Sequence, residues 1–177
     1  MTERIALFID GVNLHYTTRA LAFEVDFKRL LQHFANFGTI VRAFFYTNFK
    51  ENDEPHSIRP LLDWLDYNGF TVRAKVLRDY DDGEGRRRTK RNIGVELTID
   101  ALEIAPHLDQ IFLFSGDGDL KRLVESVQRR GVRVTVVSSL RAGVLVSDDL
   151  RRQANRFIEL NTLRDTIERL PHPVARV

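Results

Sequence analysis

Apolar runs and amphipathic stretches alternate along the whole chain, and the period of each assigns it. Ile5-Ala6-Leu7-Phe8-Ile9 is unbroken and ends at Asp10-Gly11, as a strand buried on both faces does, with a loop at its carboxyl end. Phe27, Leu30, Leu31, Phe34 and Ala35 recur at helical spacing, and Gly38 can end that helix. Residues 40–46 read as a second strand. Residues 60–68 read as a helix carrying Leu61, Leu62, Trp64 and Leu65, closed by Asn68-Gly69, and residues 70–77 as a third strand with partial alternation. Residues 79–91 are polar, include Gly83 and Gly85 and have no apolar face, so a loop is expected there. A helix over about 93–104 stops before Pro106. Residues 111–114 form a fourth strand, 120–130 a helix ended by Gly131, and 132–137 a fifth strand. A short helix over 148–154, a last strand over 157–160 and a helix over 162–170 complete the series.

Strands and helices in strict alternation, with no repeat and no linker, imply a doubly wound α/β fold. The expected architecture is a three-layer α/β/α sandwich with a mainly parallel central sheet. One domain over residues 1–169 accommodates it, and residues 170–177, with Pro171 and Pro173, are expected to fray. In such sheets ligands bind beyond the carboxyl ends of the strands, where the strand order reverses. Polar motifs at those ends therefore carry the functional question.

Composition narrows the chemistry. The chain has no cysteine, which excludes disulfides and thiolate metal sites and fits a reducing compartment. No apolar run reaches the ~18–20 residues of a membrane span, and the apolar run after Met1-Thr2-Glu3-Arg4 is too brief for a secretory signal. The expected location is the cytoplasm. The formal net charge is only +2, but Arg86, Arg87, Arg88, Lys90 and Arg91 fall close together, a surface that a polyanion could approach.

Two motifs concentrate aspartate at predicted strand ends. Asp10-Gly11-Val12-Asn13 follows the first strand; Asn13 could orient the Asp10 carboxylate or hold a water, although an Asp-Gly turn with Asn13 as a helix cap uses the same residues. Ser115-Gly116-Asp117-Gly118-Asp119 follows the fourth strand, and helix capping would account for one of its two aspartates. Two carboxylates about 4 Å apart repel by roughly 4 kcal/mol at an effective dielectric near 20. A hard divalent ion relieves that repulsion, and carboxylate with water is the ligand set of Mg²⁺ or Mn²⁺. Asp10, Asp117 and Asp119 are therefore the metal-ligand candidates. Glu96 and Asp100 share a helix face at a spacing of four, and with Ser115 they are candidates for supporting roles. An ordinary solvated helix face explains that spacing as well. Tyr16, Phe49 and Tyr80 fall where an aromatic ring could either pack at the rim or stack on a base. A haloacid-dehalogenase-type phosphohydrolase would need a second aspartate at position 12, where Val12 stands.

Taken together, residues 8–13, 90–100 and 114–120 resemble the NYN domains, relatives of the PIN-domain nucleases, in their LabA-like (DUF88) branch. The likeness spans about residues 4–165 and includes Phe157-Ile158-Glu159-Leu160 as the closing strand. It implies a PIN-like fold and metal-dependent hydrolysis of RNA, with Asp10, Asp117 and Asp119 as ligands of Mg²⁺ or Mn²⁺ and Asn13 in support. Single-stranded RNA is the implied partner, tracked by Arg86, Arg87, Arg88, Lys90 and Arg91, and a homodimer is compatible with the family. Two positions depart from the pattern: Gly94 and Asn155 stand where the family has aspartate. The alternative is accordingly a catalytically impaired RNA-binding or regulatory module on the same fold.

Overall fold

The first apolar run becomes β1 (Arg4–Asp10), in which residues 5–9 have no solvent exposure. A computed structural model describes residues 2–50, 58–77, 79–81, 87–89, 93–141 and 143–170. After β1 come α1 (Gly11–Ala20), α2 (Phe27–Phe34), β2 (Thr39–Lys50), α3 (Arg59–Tyr67) and β3 (Phe70–Leu77). The short β4 (Asp79–Asp81) and β5 (Arg87–Thr89) precede α4 (Gly94–Ile104) and β6 (Gln110–Phe114). Then follow α5 (Lys121–Gln128), β7 (Arg133–Ser138), α6 (Asp148–Gln153), β8 (Arg156–Glu159) and α7 (Arg164–Ile167).

The six-stranded sheet has the order β3-β2-β1-β6-β7-β8, and every pairing in it is parallel. Strand alternation divides β1 between two cores. Ile5, Leu7 and Ile9 pack with Leu14, Leu30, Phe34, Leu62 and Ile167, so α1, α2, α3 and α7 cover one face. Ala6 and Phe8 pack with Leu97, Ala101, Val124 and Leu150, so α4, α5 and α6 cover the other. This is the expected three-layer sandwich. The chain leaves β1 toward β2 on one side and returns to β6 on the other, so the order reverses between β1 and β6. The crevice beyond their carboxyl ends is where Asp10 and the residues after Phe114 emerge.

Three local expectations are corrected. The ends of the expected loop over 79–91 instead pair as an antiparallel ladder, Asp79 with Thr89 and Asp81 with Arg87. Main-chain hydrogen bonds hold so short a pair, and these leave no apolar stripe to read. Directly after Asp10, where a loop was expected, α1 begins at Gly11. The carboxyl-terminal helix ends at Ile167 rather than continuing to 170, because Glu168 bridges to Val25 and the Arg169 N–H donates to the Glu24 carbonyl. The tail over 171–177 lies outside the described residues.

Candidate active site at the carboxyl end of the sheet

Asp10 is both the last residue of β1 and the N-cap of α1. Its Oδ1 accepts the Asn13 backbone N–H at 3.0 Å, and its Oδ2 accepts the Ser115 hydroxyl at 3.0 Å. Only 7% of the residue is exposed. Burial raises its pKa above the ordinary 3.8; the bonds from Asn13 and Ser115 oppose that rise, and the negative charge of Asp117 adds to it. Asp10 and Asp117 are thus near enough to repel.

The second motif is bound into the same network. The Asn13 side-chain oxygen accepts the Gly116 N–H at 3.0 Å, so Asn13 joins the two motifs across 103 residues. The Ser115 oxygen accepts the Asp117 N–H at 3.2 Å, and Asp117 Oδ1 accepts the Asp119 N–H at 2.9 Å, capping the 3₁₀ turn Gly118–Leu120. The glycine at position 116 is dictated by close approach. A Cβ there would stand 2.9 Å from Ser138 Oγ and 3.2 Å from Val146 Cα. The loop is drawn onto that neighbour by the Ser147 N–H, which donates to the Gly116 carbonyl at 2.9 Å.

Asp10, Asp117 and Asp119 line one side of a cleft of about 590 Å³, and Ile93, Gly94, Val95, Thr98 and Ile99 of the α4 region line the other. The donors are hard oxygens, the kind that suits Mg²⁺ or Mn²⁺. They do not form a cage. Among the described residues no three acidic or histidine side chains stand close enough to hold a metal by themselves. Mg²⁺ retains several waters and binds through one or two carboxylates, so a wet, open arrangement suits it in kind.

Other candidates lie elsewhere. Asp100 accepts the Tyr46 hydroxyl at 2.9 Å and two guanidinium N–H groups of Arg73 at 3.1 and 3.2 Å, and Glu96 pairs with Lys75. Neither carboxylate lines the cleft. Asn155 does not line it either; its side-chain oxygen accepts the Val134 N–H at 2.8 Å and the Gln128 amide at 2.9 Å, joining β7 to α5. The backbones of Arg87 and Arg88 lie in β5, while Arg86, Lys90 and Arg91 fall outside the described residues. Sequence reasoning passed over Tyr46, which pairs in register with Asp10 and is fully buried. A hydroxyl-bearing residue closing an apolar run was its one signal.

Comparison with known proteins gives a consistent result. The model of the NYN domain family matches residues 4–161. The chain is 36% identical to low amplitude and bright protein LabA of Synechococcus elongatus over 175 residues, which is 97% of this chain and 91% of that one. The crystal structure of a protein of unknown function from Vibrio parahaemolyticus shares 32% identity at a TM-score of 0.77, over 94% of this chain and 96% of that chain.

Proposed function

The chain belongs to the NYN domain family, and from that premise we propose that it is a ribonuclease hydrolysing single-stranded RNA at an Mg²⁺ or Mn²⁺ site held by Asp10, Asp117 and Asp119. The observation that carries this reading is a buried carboxylate, Asp10, locked by Asn13 and Ser115 at the point where strand order reverses, with Asp117 and Asp119 on the same cleft wall.

A bound divalent ion supplies Lewis acidity and charge neutralisation at the phosphoryl group. The chain's own residues prepare the place. Asn13 and Ser115 fix both oxygens of Asp10 and hold the loop carrying Asp117 against it. Asp117 in turn fixes the backbone of Asp119. The cleft opposes this acidic wall with an α4 surface of small and apolar residues, which adds no competing charge to a passing phosphate. Arg86, Arg87, Arg88, Lys90 and Arg91, between β4 and α4 in the chain, provide attraction for the RNA backbone, so binding weakens with salt.

Labelled single-stranded RNA incubated with the purified protein and Mn²⁺, beside Asp117→Asn, tests the assignment. Cleavage by the natural protein alone is expected, and equal cleavage by both retires it. A second reading, an impaired RNA-binding module, is favoured by one feature: Gly94 lines the cleft and brings no carboxylate to it. A large gain of cleavage in Gly94→Asp over a barely active parent would establish that reading. A vigorous parent with no gain would dismiss it.

A further inference from the structure

The cleft accounts for one side of the sheet's carboxyl edge. Across that edge, α1 starts directly after its N-cap Asp10 and packs on the opposite face from α4. Its buried residues are Gly11, Leu14, Thr17 and Thr18. The spacing of three puts Asn13, Tyr16 and Arg19 in one stripe along the side of the helix, each about 4.5 Å of helix rise beyond the last, with Asn13 turned into the acidic loop and Tyr16 and Arg19 exposed. Resting on the ribonuclease reading, we propose that Tyr16 and Arg19 form a second RNA subsite, in which the Tyr16 ring stacks on a base and Arg19 holds the adjoining phosphate as the strand passes over Asp10 and down α1.

Four observations support this. Tyr16 is 57% exposed and stands one helical turn from Asn13. The His15 ring packs against it edge-on, at 5.9 Å and 64°. The Arg19 guanidinium has no ion pair or hydrogen bond among the described residues, so it is available to a ligand. Asn13, at the head of the stripe, is hydrogen-bonded into the acidic loop, so the stripe is tied to the site.

Phe49 and Tyr67 lack these features, and the side chain of Tyr80 lies outside what the structure describes. Phe49 packs against the core and carries the Arg59 guanidinium over its ring at 5.6 Å. Tyr67 is 89% exposed, but it closes α3 just before β3 begins, at the amino end of the parallel sheet. An aromatic face beside an unpaired cation is the arrangement that binds single strands without reading base edges. A modest preference for purines follows, because a larger base overlaps more of the ring.

The test uses the whole chain, EDTA to prevent cleavage, and a short fluorescein-labelled poly-A RNA read by anisotropy. Tyr16→Ala is expected to weaken binding about tenfold, the effect of one lost stack, while Tyr16→Phe stays within about twofold. Arg19→Gln is expected to flatten the logarithmic salt slope by about 0.7, one single-strand phosphate contact. RNA with 2-aminopurine at the stacked position loses its fluorescence quenching in Tyr16→Ala and keeps it in Tyr16→Phe. Natural protein that binds RNA as tightly as folded Tyr16→Ala, with equal quenching, overturns the subsite and leaves the ribonuclease reading standing. Natural protein that binds no RNA overturns the subsite, and it overturns the ribonuclease reading as well when the same protein fails to cleave RNA with Mn²⁺.

Discussion

At Asp10 two demands conflict. A buried carboxylate is destabilising when ionised, and Asp117 makes it more so, yet a cation site needs the ionised form. Its folded pKa is raised, so its favourable contribution belongs to the protonated form. That contribution is complete below the unfolded value near 3.8 and is lost as pH rises through the raised folded value. Asp10→Asn removes the charge but keeps an oxygen for the Asn13 N–H, and the Ser115 hydroxyl can turn to accept from the new amide. In EDTA near pH 7 this variant is expected to melt about 2–4 °C higher than the natural protein, the shift that roughly 1 kcal/mol produces in a chain this size. The gap closes as pH falls toward the unfolded value. Calorimetry across that range checks both parts, and a variant that melts lower at neutral pH contradicts the conflict. Asp10 was legible from the sequence because it follows an apolar run and precedes a glycine. Its bond to Ser115 was not, because a contact between residues 105 apart leaves no trace in local pattern.

The elements are joined around this residue by polar contacts rather than by the apolar stripes that reveal them. Tyr46 of β2 reaches Asp100 of α4, and Arg73 of β3 grips the same carboxylate. Burial and the neighbouring Asp100 push the tyrosine pKa well up, so the hydroxyl remains a donor. Hydrogen bonds to charged partners contribute about 1.5–3 kcal/mol, so Tyr46→Phe is expected to lower unfolding free energy by that amount in urea, with an unchanged slope. A loss well under 0.5 kcal/mol would mean that the Tyr46 hydroxyl adds little to what Arg73 already gives the Asp100 carboxylate. At the β1–α1 junction the packing is tighter still. A Cβ on Gly11 would stand 2.5 Å from the Phe45 ring and 2.8 Å from the Tyr46 carbonyl. Alanine gains up to about 1 kcal/mol of helix propensity over glycine, but overpacking costs about 1–3. Gly11→Ala is therefore expected to destabilise in the same urea assay, contrary to propensity. Such contacts also explain what the sequence hid. The buried side of α1 holds Thr17 and Thr18 where an apolar stripe would have announced a helix. Its strands and the longer helices, buried through Val, Ile, Leu and Phe, were plain.

In the molecule as a whole, the parallel order was legible from alternation alone, since apolar strands separated by helices have few other ways to pack. The strand before residues 115–119 was also expected to adjoin the one that ends at Asp10, and the pairing of β1 with β6 brings residue 10 beside residues 115–119. Because the acidic wall exists only when both halves of the sheet are assembled, a cation that binds it binds the native state and not the unfolded chain. A ligand at a hundredfold excess over its dissociation constant then stabilises by about 2.7 kcal/mol. At about 2–4 °C per kcal/mol for this chain length, saturating Mg²⁺ or Mn²⁺ is expected to raise the melting temperature by roughly 5–10 °C. Salt alone screens the repulsion between carboxylates and raises the value somewhat, so the comparison needs KCl at matched ionic strength. Asp10→Asn and Asp117→Asn should lose the metal response, whereas Gly94→Asp, with one more carboxylate at the cleft, should reach the same shift at lower metal concentration. Asp10→Asn then starts above the natural protein in EDTA and falls below it once the ion is added. Only a site that holds charge at the expense of the apo fold produces that crossing. Parallel rises in the natural protein and Asp10→Asn would place the ion elsewhere and remove the metal from the proposed mechanism.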